Sequence, residues 1–386
     1  MHRIIRYVLL SALLLGATFS VNARNYDKEW NKVDSLISRY DQKKAIDAVR
    51  QIMDMAQSDG NSHEILRCAL MINRLDAPNR SKSGYKVESY LLFDSLATVM
   101  DDDGLKAICH YLQAFCLDEY ARANNFRIPA DNRLDMDIDQ LRDKLFFHFE
   151  QAFKLAVRKH TKDYTAFIPD CNESYIKVRP ALKDVLLESA CINLGADDWG
   201  NNHLYKDDDH LFGTSKQYVQ GTRHAEIGKI DDWQLYVLRL LTERNLNANA
   251  DIRASIDLKR LTTIYECLSA QDWISVSEKI EKLARSYRDK SIYSAGIYAL
   301  SAKALIEHVI NDTSIDKGLR SRLSVHAYEL LETAIGIWPD SQTEHDCREL
   351  LAQIERESVS ISFDRTQRAA SCKSGASRNS SINLLS

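Results

Sequence analysis

The sequence predicts an all-α protein built from antiparallel helical hairpins, and three observations carry the prediction. Glycine and proline are scarce, 13 and 5 in 386 residues, whereas an all-β chain needs a turn every ~8–12 residues. Apolar residues recur in steps of three and four along most of the chain, the period of a single helix face. The stretches between those periodic segments are short, which brings consecutive helices side by side.

The chain opens with an expected secretory signal over 1–23. Arg3 and Arg6 precede an apolar run from Tyr7 to Leu15, and Val21 and Ala23 stand just before a cut ahead of Arg24, the pattern of a cleaved leader. The run is too short to span a bilayer, and no later stretch reaches the ~20 apolar residues a spanning helix needs. The mature chain is expected in the periplasm or at the cell surface, with no transmembrane segment. No cysteine lies near the cut, which argues against a lipid anchor.

Residues 24–195 form the expected N-terminal hairpin region. Trp30, Val33, Leu36 and Ile37 mark a first amphipathic helix, and Ala45 to Ala56 a second, with Tyr40 and Asp41 between them. A third starts near Ser62, and Pro78 to Ser81 break the pattern. Helices follow over Val87–Met100, Leu105–Asn124 and Leu141–Val157, the last with a face made of Leu145, Phe146, Phe149, Ala152 and Phe153. Asp101-Asp102-Asp103-Gly104 lacks the alternating ligands and closing glutamate of a calcium loop. It reads instead as a turn whose acids favour the next helix N-terminus. Pro180 suits the first turn of a helix through Leu182, Val185 and Ala190.

The acidic and aromatic loop 196–222 is the longest irregular stretch. It holds Asp197, Asp198, Trp199, His203, Tyr205, Asp207, Asp208, Asp209 and His210. Long loops often carry binding functions. As a metal site, His203 and His210 have suitable donor types but no recognised spacing; the plainer reading is a variable insertion between hairpins.

Residues 223–358 are read as C-terminal repeats. Asp231 and Asp232 cap a helix through Trp233, Val237 and Leu240. An internal repeat then emerges. Val276, Ile280 and Leu283 are followed by Tyr287-Arg288-Asp289, and Ala327, Leu331 and Ala334 by Trp338-Pro339-Asp340, in the same register. That spacing belongs to the second helix of a tetratricopeptide unit, so the hairpins are expected to stack as a tetratricopeptide-like solenoid. Val359 to Phe363 alternates like the start of a strand, and 359–386 as a whole is basic, serine-rich and expected to be disordered.

Chemistry is harder to find. A net charge of −4 and a pI near 6.3 give no electrostatic case for nucleic acid. There is no phosphate loop, HExxH, paired CxxC or GxSxG. His110, His148 and His326 lie in helices among apolar neighbours. The eight cysteines are irregularly spaced and mostly on apolar helix faces, so buried free thiols are expected rather than a disulfide framework. No catalytic, cofactor-binding or metal-ligating residue is selected, and no cofactor is expected.

Several segments in order resemble the amino-terminal helical region of the large alpha-2-macroglobulin-like proteins of Bacteroidetes-type bacteria. They are Trp30 to Leu36, Tyr111 to Phe115, Asp135 to Asp139, Arg179 to Asp184, and Trp338 to Ser341 with Ala352 to Glu355. The resemblance spans roughly Asn25 to Phe363. It implies an exported tetratricopeptide-like array that precedes a string of β-sandwich domains in a broad protease trap. The trapping parts are not matched: Cys372 is followed by Lys373-Ser374-Gly375 rather than by the Glu-Gln of a thioester. The tail is read as the mark of a severed amino-terminal module.

The function expected is a non-enzymatic scaffold that binds a protein or peptide, cell-envelope or protease-related, in the groove of the stack. A glycan-binding uptake helper is the alternative, with Trp199, Tyr205 and Phe212 stacking on sugar rings. A hydrolase using the 196–222 loop is the third reading.

Overall fold

The computed structural model describes residues 25–76, 82–124, 127, 133–168, 171–193, 205–206, 209–223, 225, 233–269 and 272–355. The expected leader 1–23, the break at Pro78 to Ser81, the pair Asp231 and Asp232, and the tail 359–386 lie outside them. So do Asp197, Asp198, Trp199, His203, Asp207 and Asp208 of the loop. The fold is all-α. Among the described residues its extended pairings are small: two residues of β1 (Tyr205–Lys206) run parallel to β2 (Leu268–Ser269), and His160 bridges Ala181 antiparallel. Among the described residues no helix is long and apolar enough to cross a membrane.

Two compact units interleave along the chain. The first takes residues within 1–203 and 222–244, the second those within 204–221 and 245–386. Residues 223–244, expected with the C-terminal repeats, thus fall in the first unit, and the expected loop 196–222 contributes 204–221 to the second, including a helix over Ser215–Gly221.

In the first unit, α1 (Asp27–Ser38), α2 (Gln42–Ser58) and α3 (Ser62–Asp76) pack in sequence. Val33, Val49, Ile52 and Leu66 are fully buried between them. Both α1 and α2 end in the same way. Asp41 N–H reaches Leu36 O and Tyr40 N–H reaches Ile37 O; Asn61 and Gly60 repeat the pair onto Ala56 and Gln57. This is the Schellman arrangement, whose C′ residue must adopt positive φ. Gly60 does so at 64°, and Tyr40 does so at 60° with its side chain 95% exposed. A tyrosine gains nothing from packing there and bears the left-handed cost that glycine avoids. Tyr40→Gly is therefore expected to raise stability by up to ~1 kcal/mol, read as a higher urea midpoint; a lower midpoint would contradict this account of the turn.

Next come α4 (Lys82–Val99), α5 (Asp103–Ala123) and α6 (Ile138–Leu155), with α5 between the other two. Asp102 is the N-cap of α5, accepting from Gly104 N–H at 2.8 Å and Leu105 N–H at 2.9 Å. It also accepts from Lys159 Nζ and Tyr164 Oη, each at 2.7 Å. Burial pushes this carboxyl up, but those donors prevail and hold it at about 2. The acids before α5 thus serve its N-terminus, as expected, and one of them also ties down a later segment. Gly104 is required there because a Cβ would meet the Tyr164 ring at 2.2 Å.

A short helix, α7 (Glu173–Val178), leads to α8 (Leu182–Asn193), which packs on α5 and α6. Then α10 (Trp233–Arg244) closes the unit against α8. Trp233 is fully buried among Phe146, Phe149 and Phe153, with ring centroids 5.0, 5.0 and 6.4 Å away. Its indole N–H donates to Ala190 O at 3.1 Å.

The second unit begins with β1 and α9 (Ser215–Gly221) and continues through α11 (Ala250–Glu266), α12 (Trp273–Tyr287), α13 (Ser294–Leu305), a π-turn (Ile306–Ile310), α14 (Lys317–Ile337) and a final helix, α15, over 342–355. Helix α13 packs on α11, α12 and α14. The repeat register is visible in burial: Val276 and Ile280 on α12 and Ala327, Leu331 and Ala334 on α14 are fully buried, and Leu283 nearly so.

A buried ion pair organises this unit. Asp257 and Arg260 on α11 are both fully buried, with Nη2 3.0 Å from Oδ1. Arg260 also donates to the carbonyls of Gly213, at 2.8 Å, and of Leu211. The Tyr218 ring faces its guanidinium at 4.6 Å. Asp257 accepts from Ser215 Oγ at 3.0 Å and Tyr287 Oη at 2.8 Å. Segment 211–218 is thereby tied to α11 and α12.

None of the described cysteines forms a disulfide, and Cys68, Cys109, Cys116, Cys191 and Cys347 are buried. Burial pushes the thiols of Cys68, Cys109 and Cys116 up to about 12, which leaves them unreactive near neutral pH.

Candidate binding groove

A concavity in the second unit lies where α12 and α14 flank α13. Its volume is about 370 Å³, and it is lined by Ile274, Ser277, Glu278, Glu281, Lys282 and Arg285 from α12, Leu305 from α13, and Leu323 and His326 from α14. The helical period explains the set: residues 274, 277, 278, 281, 282 and 285 step by three, one, three, one and three along one stripe of α12. The opposite stripe, with Val276, Ile280 and Leu283, faces the core.

Small residues set the floor. Ser277 Oγ donates to Ser301 O at 3.0 Å and Ser301 Oγ to Ser277 O at 2.9 Å, a reciprocal pair buried between α12 and α13. Both hydroxyls are used within the floor, so Ser277 is not placed as a nucleophile. Glu281 crosses the groove. Its carboxylate accepts from Arg285 Nε at 3.0 Å and lies 3.1 Å from His326 Nε2 on α14. This holds the two walls at a set spacing. The apolar side chains Ile274, Leu305 and Leu323 and the polar groups Glu278 and Lys282 complete the lining.

Beyond α13 the chain takes the π-turn Ile306–Ile310, a feature found often near functional sites. The His308 ring stacks on Trp273 with centroids 3.6 Å apart and planes 8° from parallel. Tyr265 Oη donates to Glu307 Oε2 at 2.7 Å. Burial, then the bond and charge of Glu307, push the Tyr265 hydroxyl upward. These contacts join α11, the start of α12 and the π-turn.

The loop residues fare differently from one another. Phe212 is only 2% exposed, a correction to its expected place on a sugar-stacking surface: its ring is packed and offers no face. The backbone of Tyr205 pairs with Leu268. Asp209 is 92% exposed and pairs with Lys279 at 2.9 Å. His210 packs so closely on Gly221 that a Cβ there would meet its ring at 2.1 Å. Among the described residues no group of three or more His, Cys, Asp and Glu side chains converges to hold a metal. Sequence periodicity placed Glu281 and His326 on helices but did not pair them, since they stand 45 positions apart.

Compared with protein-family models, with curated proteins and with solved structures, the chain matches none.

Proposed function

We propose that the chain is a non-enzymatic helical-repeat scaffold that binds an extended protein or peptide segment in the α12–α14 groove, with its hairpins arranged as a tetratricopeptide-like solenoid. The observation that carries this reading is the groove itself. It opens between the two helices that share the repeat register, and Glu281 braces it from wall to wall. Ile274, Leu305 and Leu323 supply apolar contact for alternate side chains of a ligand strand. Glu278 and Lys282 stand where peptide amides and carbonyls would pass.

On the same footing, the chain is exported, acts in the periplasm or at the cell surface, and meets a cell-envelope or protease-related partner rather than nucleic acid. Its resemblance to the helical region of alpha-2-macroglobulin-like inhibitors supports that setting. The glycan reading is weakened by the buried Phe212.

Panning a random peptide library against the purified chain tests the reading. Selected peptides should lose about tenfold or more in affinity for Leu323→Asp and Lys282→Glu, a loss of ~1.4 kcal/mol, in variants that keep the wild-type melting temperature. Peptides that bind both variants as well as wild type would place recognition elsewhere and sink the proposal.

A further inference from the structure

A second polar cluster lies in the first unit, where α4, α5 and α6 meet, and the groove does not use it. His110 on α5 and His148 on α6 face each other with Nδ1 atoms 3.0 Å apart. Gln113 Oε1 is 2.9 Å from His110 Nδ1, and its amide nitrogen donates to Asp94 Oδ1 on α4 at 3.0 Å. On the far side, Tyr90 Oη lies 3.4 Å from His148 Nε2. His148 is 1% exposed, whereas His110 is half-buried.

The protons in this chain can be counted. A carboxylate only accepts, so Gln113 turns its NH₂ to Asp94 and its oxygen to His110. His110 Nδ1 must then carry a hydrogen, shared between Gln113 Oε1 and His148 Nδ1. His148 Nδ1 is therefore bare, and its hydrogen sits on Nε2, facing Tyr90. One further proton can reside on His110 Nε2 without disturbing the contact. A second has only His148 Nδ1 to go to, and it would set two N–H groups head to head at 3.0 Å.

We propose that the His110–His148 pair is an acid-sensitive latch that clamps α5 to α6 while His148 is neutral and lets them part when both rings take up protons. The groups that face the pair are Tyr90 and Asp94 from α4, Gln113 from α5, and Lys144 from α6. Asp94 favours a charge on His110, while Lys144 opposes a charge on either ring. From α8, α3 and the turns over 156–158 and 161–167, which also pack on α5, no charged group among the described residues contributes at either ring.

The sign follows from proton uptake. Burial, then His110 and then Lys144, push His148 from its ordinary 6.5 down to about 3, and burial first of all lowers His110. In the opened form both rings are in water and protonate at their ordinary value. The closed form is thus fully favoured above about 6.5 and loses ground as the pH falls toward 3. Each proton taken up on opening shifts the equilibrium by up to about tenfold per pH unit.

Hydrogen exchange of the wild-type chain at pH 7 and pH 5, corrected for intrinsic rates, tests this. The opening constant of α5 and α6 amides should rise by about tenfold or more relative to those of α1–α3. In His148→Gln, which keeps a hydrogen-bonding side chain but cannot titrate, the rise should shrink to about threefold or less. His110→Gln, at the more exposed ring, serves the same purpose if His148→Gln does not fold. A wild-type chain whose α5 and α6 open no more readily at pH 5, or a variant that keeps the full rise, would overturn the latch. So would zinc or nickel ions that raise the wild-type melting temperature and lose that effect in the variant, since the rings would then hold a metal rather than a shared proton.

Discussion

Replacing Arg260 with methionine is expected to lower the stability of the second unit by about 3–5 kcal/mol, the cost of leaving a buried charge without its partner. Asp257 would remain fully buried with only the Ser215 and Tyr287 hydroxyls to satisfy it. The carbonyls of Leu211 and Gly213 would lose their donor at the same time. The loss should appear as a lower urea midpoint, together with early exchange of amides in 211–221. The double variant Arg260→Met with Asp257→Leu removes both charges and should recover part of the loss, because well-packed apolar residues often replace a buried pair at little net cost. A double variant less stable than Arg260→Met alone would show that the pair is not the source of the effect.

Trp233→Ala is expected to cost about 3–5 kcal/mol, and to cost it in the first unit. Its ring fills the space among Phe146, Phe149 and Phe153, and its N–H satisfies Ala190 O at the end of α8. Helix α10 follows a segment assigned to the second unit, yet α6 and α8 are the elements whose amides should lose protection. If exchange in α11–α14 rose instead, the interleaved division of the chain would be wrong. Trp233→Phe, which keeps most of the apolar volume, should recover much of the loss while leaving Ala190 O without its donor.

Much of the helical content was legible in the residues. The stripe Leu145, Phe146, Phe149, Ala152 and Phe153 foretold the buried face of α6. The matched steps of Val276, Ile280, Leu283 and of Ala327, Leu331, Ala334 foretold two helices with equivalent inner faces. Asp102 was legible as a cap, but its bonds to Lys159 and Tyr164 were not, since those partners stand 57 and 62 positions further along the chain. The groove shows the same divide: Val276, Ile280 and Leu283 marked the helix that supplies most of its lining, and His326 was placed on a helix, while the bond between Glu281 and His326 was not foreseen. The histidine pair was missed for the same reason. His110 and His148 each read as a lone packed histidine, and only the meeting of α5 with α6 brings their nitrogens to 3.0 Å.

By itself, then, the sequence determined the all-α class and most of the long helices with their inward faces, because apolar periodicity, caps and the scarcity of turn residues act over a few neighbouring positions. The tertiary structure alone decided which segments belong together. Trp233 joins the first unit because its ring fits among three phenylalanines more than 70 residues earlier, and Leu211 and Phe212 join the second, where Arg260 holds the Leu211 carbonyl. Those choices rest on cavity shape and on the pairing of buried charge, and neither leaves a periodic trace along the chain.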